Sequence, residues 1–173
     1  MTLIKNRYVT TRAQVKKSKQ LALCTQCGDI QYKGFWYASD SQLALMINED
    51  KDSVSYSLCP ACQMQNKGSC AGLVHVKYVP KNMLSSVLAI MQKAVEQDSL
   101  ENPQHRVLEV SVANDGYTLK TTSSSMAKNI GRKILDACEM CEAKSIYRKE
   151  PESLYVTDIV FSIPGYFSQA LQK

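Results

Sequence analysis

Apolar residues recur with helical spacing in the middle of the chain. The apolar positions are Leu84, Val87, Leu88, Met91, Ala94 and Val95. This spacing places them on one side of a helix. Pro80, a residue type common at helix starts, comes just before the stretch. The pattern predicts one amphipathic helix over residues 81–98.

A second stretch with the same periodicity follows three consecutive serines. Ser123, Ser124 and Ser125 offer side-chain oxygens that can cap the first turn of a helix. The apolar positions that follow are Ala127, Ile130, Ile134, Ala137, Cys138 and Cys141. We predict a second amphipathic helix over residues 123–142, with both cysteines on its apolar side.

Five segments of this half of the chain are rich in strand-forming residues and are bounded by turn residues. They cover residues 73–79, 107–112, 117–122, 144–148 and 154–163. The second and third are joined by Asn114, Asp115 and Gly116, and Asp-Gly is a strong hairpin signal. Together with the two helices, the strands predict an α+β domain over residues 73–173, with the helices on one face of a small antiparallel sheet.

Two pairs of cysteines lie upstream of this domain. Cys24 and Cys27 form the first pair and Cys59 and Cys62 the second, each with two residues between them. Four thiolates at this spacing can surround one tetrahedral ion, which is the closed arrangement of a structural zinc site. Four thiolates also suit iron, so the identity of the metal stays open.

The segments around the cysteines predict a small β-rich unit. Residues 31–38 form an aromatic-rich strand candidate, and residues 54–58 return the chain to the second cysteine pair. Such a small unit has few apolar groups to bury, so a metal would stabilise it. We therefore predict a zinc ribbon over residues 21–72 that holds one structural Zn²⁺.

Positive charge is concentrated at the N-terminal end. The chain has a net charge of +5, and residues 1–33 carry seven lysines and arginines against one aspartate. Residues 1–20 are predicted to form a basic arm suited to phosphate groups. The alternative is a solvated tail that only improves solubility.

Six residues are candidates for RNA contacts. They are Lys16, Lys17, Lys19, Lys33, Trp36 and Lys67. The lysines can neutralise phosphates, and Lys33 and Lys67 are expected to face solvent beside the cysteine pairs. Trp36 can stack on an unpaired base or pack over the metal site, and the sequence leaves both open.

The N-terminal sequence and the hydropathy favour a cytoplasmic setting. Residues 1–20 are basic and lack the apolar segment of a secretory signal. No apolar run approaches the roughly 20 residues that cross a bilayer. Without a secretory signal, seven cysteines indicate a reducing compartment more than a disulfide framework.

The other cysteines and the histidines give little support for catalysis. Cys70 and His75 can join Cys138 and Cys141 in a second metal site, but packing as small apolar residues is the simpler interpretation. A redox role would need a reversible disulfide between Cys138 and Cys141, and a helix C-terminus disfavours thiolates. His75 and His105 lie outside any nucleophile motif, and no nucleotide-binding fingerprint is present. We expect no enzymatic activity.

Several short blocks of sequence resemble a known family. They are the two cysteine pairs, residues 33–36 (KGFW), residues 115–119 (DGYTL), residues 121–123 (TTS) and residues 127–131 (AKNIG). They resemble the N-terminal region of the Nmd-three proteins, adaptors for nuclear export of the large ribosomal subunit, and more closely a set of bacterial zinc-ribbon proteins. The resemblance implies a zinc protein that docks on ribosomal RNA or ribosomal proteins. The further cysteine pairs and export signals of the adaptors have no counterpart here, so export is not implied.

These observations together predict a zinc-ribbon protein that binds RNA, docking on the ribosome or a ribosomal subunit through its basic arm and ribbon. The alternative is a protein-interaction or regulatory module in which zinc is purely structural and the nearly neutral α+β domain makes the contacts. The oligomeric state and the RNA partner are left open by the sequence.

Overall fold

The computed structural model describes residues 21–43, 54–113, 115–139, 141–148 and 154–161. The predicted basic arm, including Lys16, Lys17 and Lys19, lies outside the described residues. The chain divides into two compact units between Cys62 and Gln63. The predicted domain start at residue 73 falls in the first strand of the second unit.

The first unit is built on a four-stranded sheet. Its strands are β1 (Leu21–Cys24), β2 (Ile30–Tyr32), β3 (Phe35–Tyr37) and β4 (Ser55–Ser57). The strand order is β3-β2-β1-β4, and β4 runs parallel to β1 while the other pairs are antiparallel. One face buries a small cluster formed by Leu21, Ile30, Tyr32 and Leu43.

The single strand predicted over residues 31–38 is wrong. The chain reverses at Lys33 and Gly34, whose φ angles are 51° and 84°. Two consecutive residues with positive φ form the tight turn of a hairpin, and this turn splits the aromatic-rich segment into β2 and β3. The segment contains no Asn-Gly or Asp-Gly signal, so its composition indicated one continuous strand.

Helix α1 (Pro60–Lys67) was not predicted from the sequence. Proline is well suited to the first helical position because its φ is already helical and it has no N–H to satisfy. The remaining residues of α1 are mostly polar, and only Ala61 and Cys62 are buried. An apolar stripe, the signal that reveals a helix in a sequence, is therefore missing from α1.

The second unit confirms the α+β class. Its elements are β5 (Gly72–Lys77), α2 (Leu84–Glu101), β6 (Val107–Ala113), β7 (Gly116–Thr121), α3 (Ser124–Ala137), β8 (Cys141–Arg148) and β9 (Leu154–Phe161). A short 3-10 helix, Lys81–Met83, precedes α2. Ser123 caps α3 as predicted, because its side chain accepts a hydrogen bond from the Met126 N–H.

One core lies between the two helices and one face of the second sheet. The helices contribute Val87, Met91, Met126, Ile130 and Ile134, and the strands contribute Val74, Val76, Leu119, Ile159 and Phe161. On β5, Val74 and Val76 are buried while His75 between them is only partly buried. The alternation follows from the two-residue period of a strand with one covered face.

The second sheet is mixed, which corrects the prediction of an antiparallel sheet. Its order is β6-β7-β5-β9-β8, and β5 pairs with β9 in parallel. The β6–β7 and β8–β9 pairs are antiparallel, as predicted for neighbouring strands. A parallel pair needs a long crossover, and here the whole chain from α2 to β8 supplies it.

The second long helix ends earlier than predicted. Cys138 has extended backbone angles, φ −132° and ψ 95°, and it caps the end of α3. The N–H of Cys141 donates to the carbonyl of Cys138 at 3.2 Å, which closes a turn into β8. The helical stripe through Cys138 and Cys141 is therefore wrong, because the two cysteines lie on either side of a turn.

Candidate metal centre

The four cysteines of the two pairs converge on one point. The sulfur atoms of Cys24, Cys27, Cys59 and Cys62 all lie within 4.8 Å of one another. The Sγ atoms of Cys27 and Cys59 are 3.7 Å apart. Tetrahedral coordination with Zn–S bonds of about 2.3 Å gives sulfur separations of about 3.8 Å, so the spacing fits one metal ion. All four are free thiols and form no disulfide.

The strand pairing of the first unit brings the two cysteine pairs together. Cys24 is the last residue of β1 and pairs with Ser57 of the parallel strand β4. Two residues after Ser57 comes Cys59, and Cys62 lies in the first turn of α1. Because β1 and β4 run in the same direction, both cysteine pairs leave the sheet at the same end.

The loop of the first pair is a compact turn. The N–H of Gly28 donates to the carbonyl of Cys24 at 3.0 Å, and the N–H of Cys24 donates to the carbonyl of Asp29 at 2.7 Å. Gly28 has a φ of +79°, a backbone conformation that favours glycine. These bonds return the chain into β2 and hold Cys27 over the same centre as Cys24.

Backbone N–H groups point at the sulfur atoms. The N–H of Cys59 donates to Cys24 Sγ at 3.2 Å, and the N–H of Cys62 donates to Cys59 Sγ at 3.4 Å. Burial opposes a charge on Cys24, but backbone hydrogen bonds from Cys27, Cys59 and Gln26 lower its pKa to about 6. Hydrogen bonds of this kind stabilise a thiolate, the form that binds metal.

The pKa of Cys62 moves in the opposite direction. Burial raises it, and hydrogen bonds with the thiols of Cys59, Cys27 and Cys24 raise it further. Neighbouring sulfur atoms compete for negative charge, because like charges at this distance disfavour ionisation. A divalent cation at the centre reverses this preference, so metal uptake at the site releases protons.

Trp36 packs against the cysteine cluster, which confirms one of its two predicted interpretations. Cys24, Cys59 and Cys62 are buried together with Ala61, and Trp36 and Leu58 pack against them. The predicted solvent-facing positions of Lys33 and Lys67 are also confirmed, since both residues are exposed. Lys33 lies in the β2–β3 turn, whereas Lys67 ends α1 in the second unit.

The structure does not assemble the second metal site that the sequence left open. His75 hydrogen-bonds Thr118 at 3.1 Å on the side of β5 that faces away from the helices, whereas Cys138 is buried in the core on the helix side. In the described part of the chain, one group brings at least three potential metal ligands together, and it consists of Cys24, Cys27, Cys59 and Cys62. Burial and the neighbouring thiol of Cys138 raise the pKa of Cys141 to about 12.

The second unit contains a buried polar network that was not predicted from the sequence. Asp98, 6% exposed, accepts hydrogen bonds from Asn129 Nδ2 at 2.9 Å and from His105 Nδ1 at 2.8 Å. Asp98 stands at a core-facing position of α2, where the pattern of apolar residues continues. It joins α2 to α3 beside a cavity of about 140 Å³ that is also lined by Arg132 and Lys133.

No protein-family model matches the chain, and no curated protein is similar to it in sequence. Among the helices that the structure describes, none has both the length and the apolar character needed to cross a membrane.

Proposed function

We propose that this protein is a non-catalytic, cytoplasmic RNA-binding protein that docks on the ribosome or a ribosomal subunit. The observation that carries the proposal is the closed four-cysteine centre on a small sheet, next to the most basic part of the sequence. A centre whose four ligands are all thiolates leaves no open position for substrate, so it supports a recognition module. The resemblance to the Nmd-three region remains a prediction that agrees with this function.

Zn²⁺ is the metal we propose for the centre. Zinc prefers tetrahedral thiolate sites in small ribbons, and Zn²⁺ is not redox-active. Iron also accepts four thiolates, so the metal must be measured. Elemental analysis of protein purified without added metal is expected to give one zinc per chain, whereas a coloured protein with one iron per chain would refute the assignment.

The basic arm and the exposed lysines would supply the phosphate contacts. Residues 1–33 carry a net charge of +6, and Lys33 and Lys67 are exposed. Each neutralised phosphate of a single strand releases counterions, with a salt slope of about −0.7 per phosphate. Binding is therefore expected to weaken steeply as salt is raised.

Co-sedimentation with ribosomes over a salt series tests the proposal. The test compares the full chain with a variant in which Lys16, Lys17 and Lys19 are changed to glutamine. The matched control changes Lys93, Lys128 and Lys133, three lysines exposed on α2 and α3, to glutamine. The arm variant should co-sediment more weakly, with a salt slope shallower by about two units. Equal behaviour of the two variants would refute the arm as the binding element.

One observation favours a second candidate, a protein-interaction module. The edge strand β6 exposes 48% of Val110 and 73% of Val112, and exposed edge strands can pair with another chain. Under this function, deletion of residues 1–19 leaves partner binding intact, while Val112→Lys abolishes it. Under the RNA-binding function, the deletion abolishes ribosome binding and Val112→Lys has no effect.

A further inference from the structure

The β2–β3 turn places a lysine where the backbone disfavours one. Lys33 and Gly34 form the turn with φ angles of 51° and 84°, and Lys33 is one of two non-glycine residues with positive φ in the described part of the chain. Asn, Asp and Gly are the residues preferred at the first position of such a turn. Residues held in disfavoured backbone regions concentrate at functional sites, so the lysine suggests a role other than forming the turn.

The side chains beside this turn combine a positive charge with an exposed ring. Lys33 Nζ lies 5.2 Å from the centre of the Tyr32 ring. Tyr32 pairs directly with Phe35 across the hairpin, so their side chains lie on the same face of the sheet. Phe35 is 59% exposed. We call Lys33, Gly34 and Phe35 the hairpin tip.

The exposed ring of the tip is not Trp36, the aromatic residue that the sequence analysis considered for either base stacking or packing over the metal site. Trp36 follows Phe35 in β3, so its side chain lies on the opposite face, where it packs against the cysteine cluster. An aromatic ring that stacks on a base needs an accessible face beside positive charge. Phe35 is 59% exposed and lies two residues from Lys33, whereas Trp36 packs against the cysteine cluster.

From these contacts we infer that the hairpin tip binds an unpaired RNA nucleotide. The base stacks on Phe35 and the phosphate contacts the Lys33 ammonium. The inference rests on the proposed RNA-binding function and narrows the ligand to single-stranded or looped RNA, because the base faces of a duplex are covered by neighbouring bases. Gly34 leaves space at the tip, since a Cβ added there would meet no atom within 4 Å beyond those of its two chain neighbours.

Fluorescence anisotropy with labelled oligouridine tests the tip in the full chain. Phe35→Ser should weaken binding roughly 5- to 150-fold, the effect of losing one base stack, while Phe35→Trp should retain it. The matched control is Tyr56→Ser, which removes another exposed ring, 62% exposed, from the far edge of the same sheet. The control should bind like the wild type.

Lys33→Asn separates binding from turn formation. Asparagine tolerates positive φ, so this variant should melt at the wild-type temperature or above it. It should nevertheless bind oligouridine more weakly, with a salt slope shallower by about 0.7. Lys33→Arg keeps the charge and should preserve both the affinity and the slope. Metal content and melting temperature of each variant show that the ribbon is intact.

The outcomes distinguish this inference from the proposed function. Two results together support RNA binding by the hairpin tip. The variants Phe35→Ser and Lys33→Asn bind oligouridine more weakly than the wild type, and the wild type binds the oligonucleotide more weakly once it is annealed to its complement. Wild-type affinity in both variants overturns the tip while ribosome and RNA binding stand. If the wild type binds neither oligouridine nor ribosomes, the proposed function fails and the inference fails with it.

Discussion

Replacing Gly131 by alanine tests how closely α3 lies on the second sheet. A Cβ at this position would lie 2.9 Å from Thr157 Cγ2 and 3.7 Å from Ile159 Cδ1. Thr157 is 2% exposed on β9, and its β-branched side chain has little freedom to turn away. The new methyl group must therefore push the helix or the strand.

Two opposing effects set the magnitude. Overpacking a buried contact costs about 1–3 kcal/mol, whereas alanine is favoured over glycine in a helix interior by about 1 kcal/mol. The expected net result for Gly131→Ala is a loss of about 1 kcal/mol in the free energy of unfolding. Urea denaturation of the metal-loaded protein, followed by circular dichroism, measures this difference.

A double-mutant cycle with Thr157→Ser isolates the contact. Serine removes the Cγ2 methyl group but keeps the hydroxyl, so it opens the space that the alanine needs. In a chain that already carries Thr157→Ser, Gly131→Ala should become neutral or stabilising, which corresponds to a coupling of about 1–2 kcal/mol. If Gly131→Ala is stabilising both with and without the serine substitution, the close packing of α3 on β9 is refuted.

Three further predictions concern the cysteines and the buried network. Cys59→Ser should abolish stoichiometric metal binding and unfold the first unit, as measured by metal analysis and circular dichroism. The control Cys70→Ser should change neither measurement. One metal per chain in Cys59→Ser would contradict the four-thiolate site. Burial raises the pKa of Cys141 to about 12. At neutral to mildly alkaline pH, iodoacetamide should therefore modify this thiol on the order of a thousandfold more slowly than an ordinary cysteine, and the rate should rise with pH. Fast labelling of Cys141 in peptide mapping would refute this. Asp98→Ala removes the acceptor for His105 and should cost about 1–3 kcal/mol in urea denaturation, while a change below the error of the measurement would mean that the buried network adds no stability.

The cysteine centre could be predicted because its signal is local. Two residues separate the cysteines of each pair, and this spacing alone indicates a shared metal ion. The two long helices were also predictable, since their apolar positions repeat with the helical period. In α2, the observed burial of Val87, Met91 and Ala94 follows that pattern.

The features that sequence reasoning missed depend on distant contacts or on backbone angles. The parallel pairing of β5 with β9 joins strands from opposite ends of the second unit, and no local pattern encodes such a pairing. Cys138 and Cys141 continue the apolar period of α3, but the extended backbone of Cys138 ends the helix. Asp98 was missed because its partner His105 lies beyond the helix, after a turn.

The position of β9 has a consequence for synthesis of the protein. β9 lies between β5 and β8 in the second sheet, yet it is the last strand that the structure describes. A chain emerges from the ribosome N-terminus first, so the four cysteines of the centre can come together while β5 still lacks one neighbour. Until Ile159 and Phe161 arrive, the nascent second unit presents an open strand edge and an incomplete core, the state most prone to aggregation. A chain that terminates before β9 would therefore carry a complete first unit and a second unit whose sheet edge stays open.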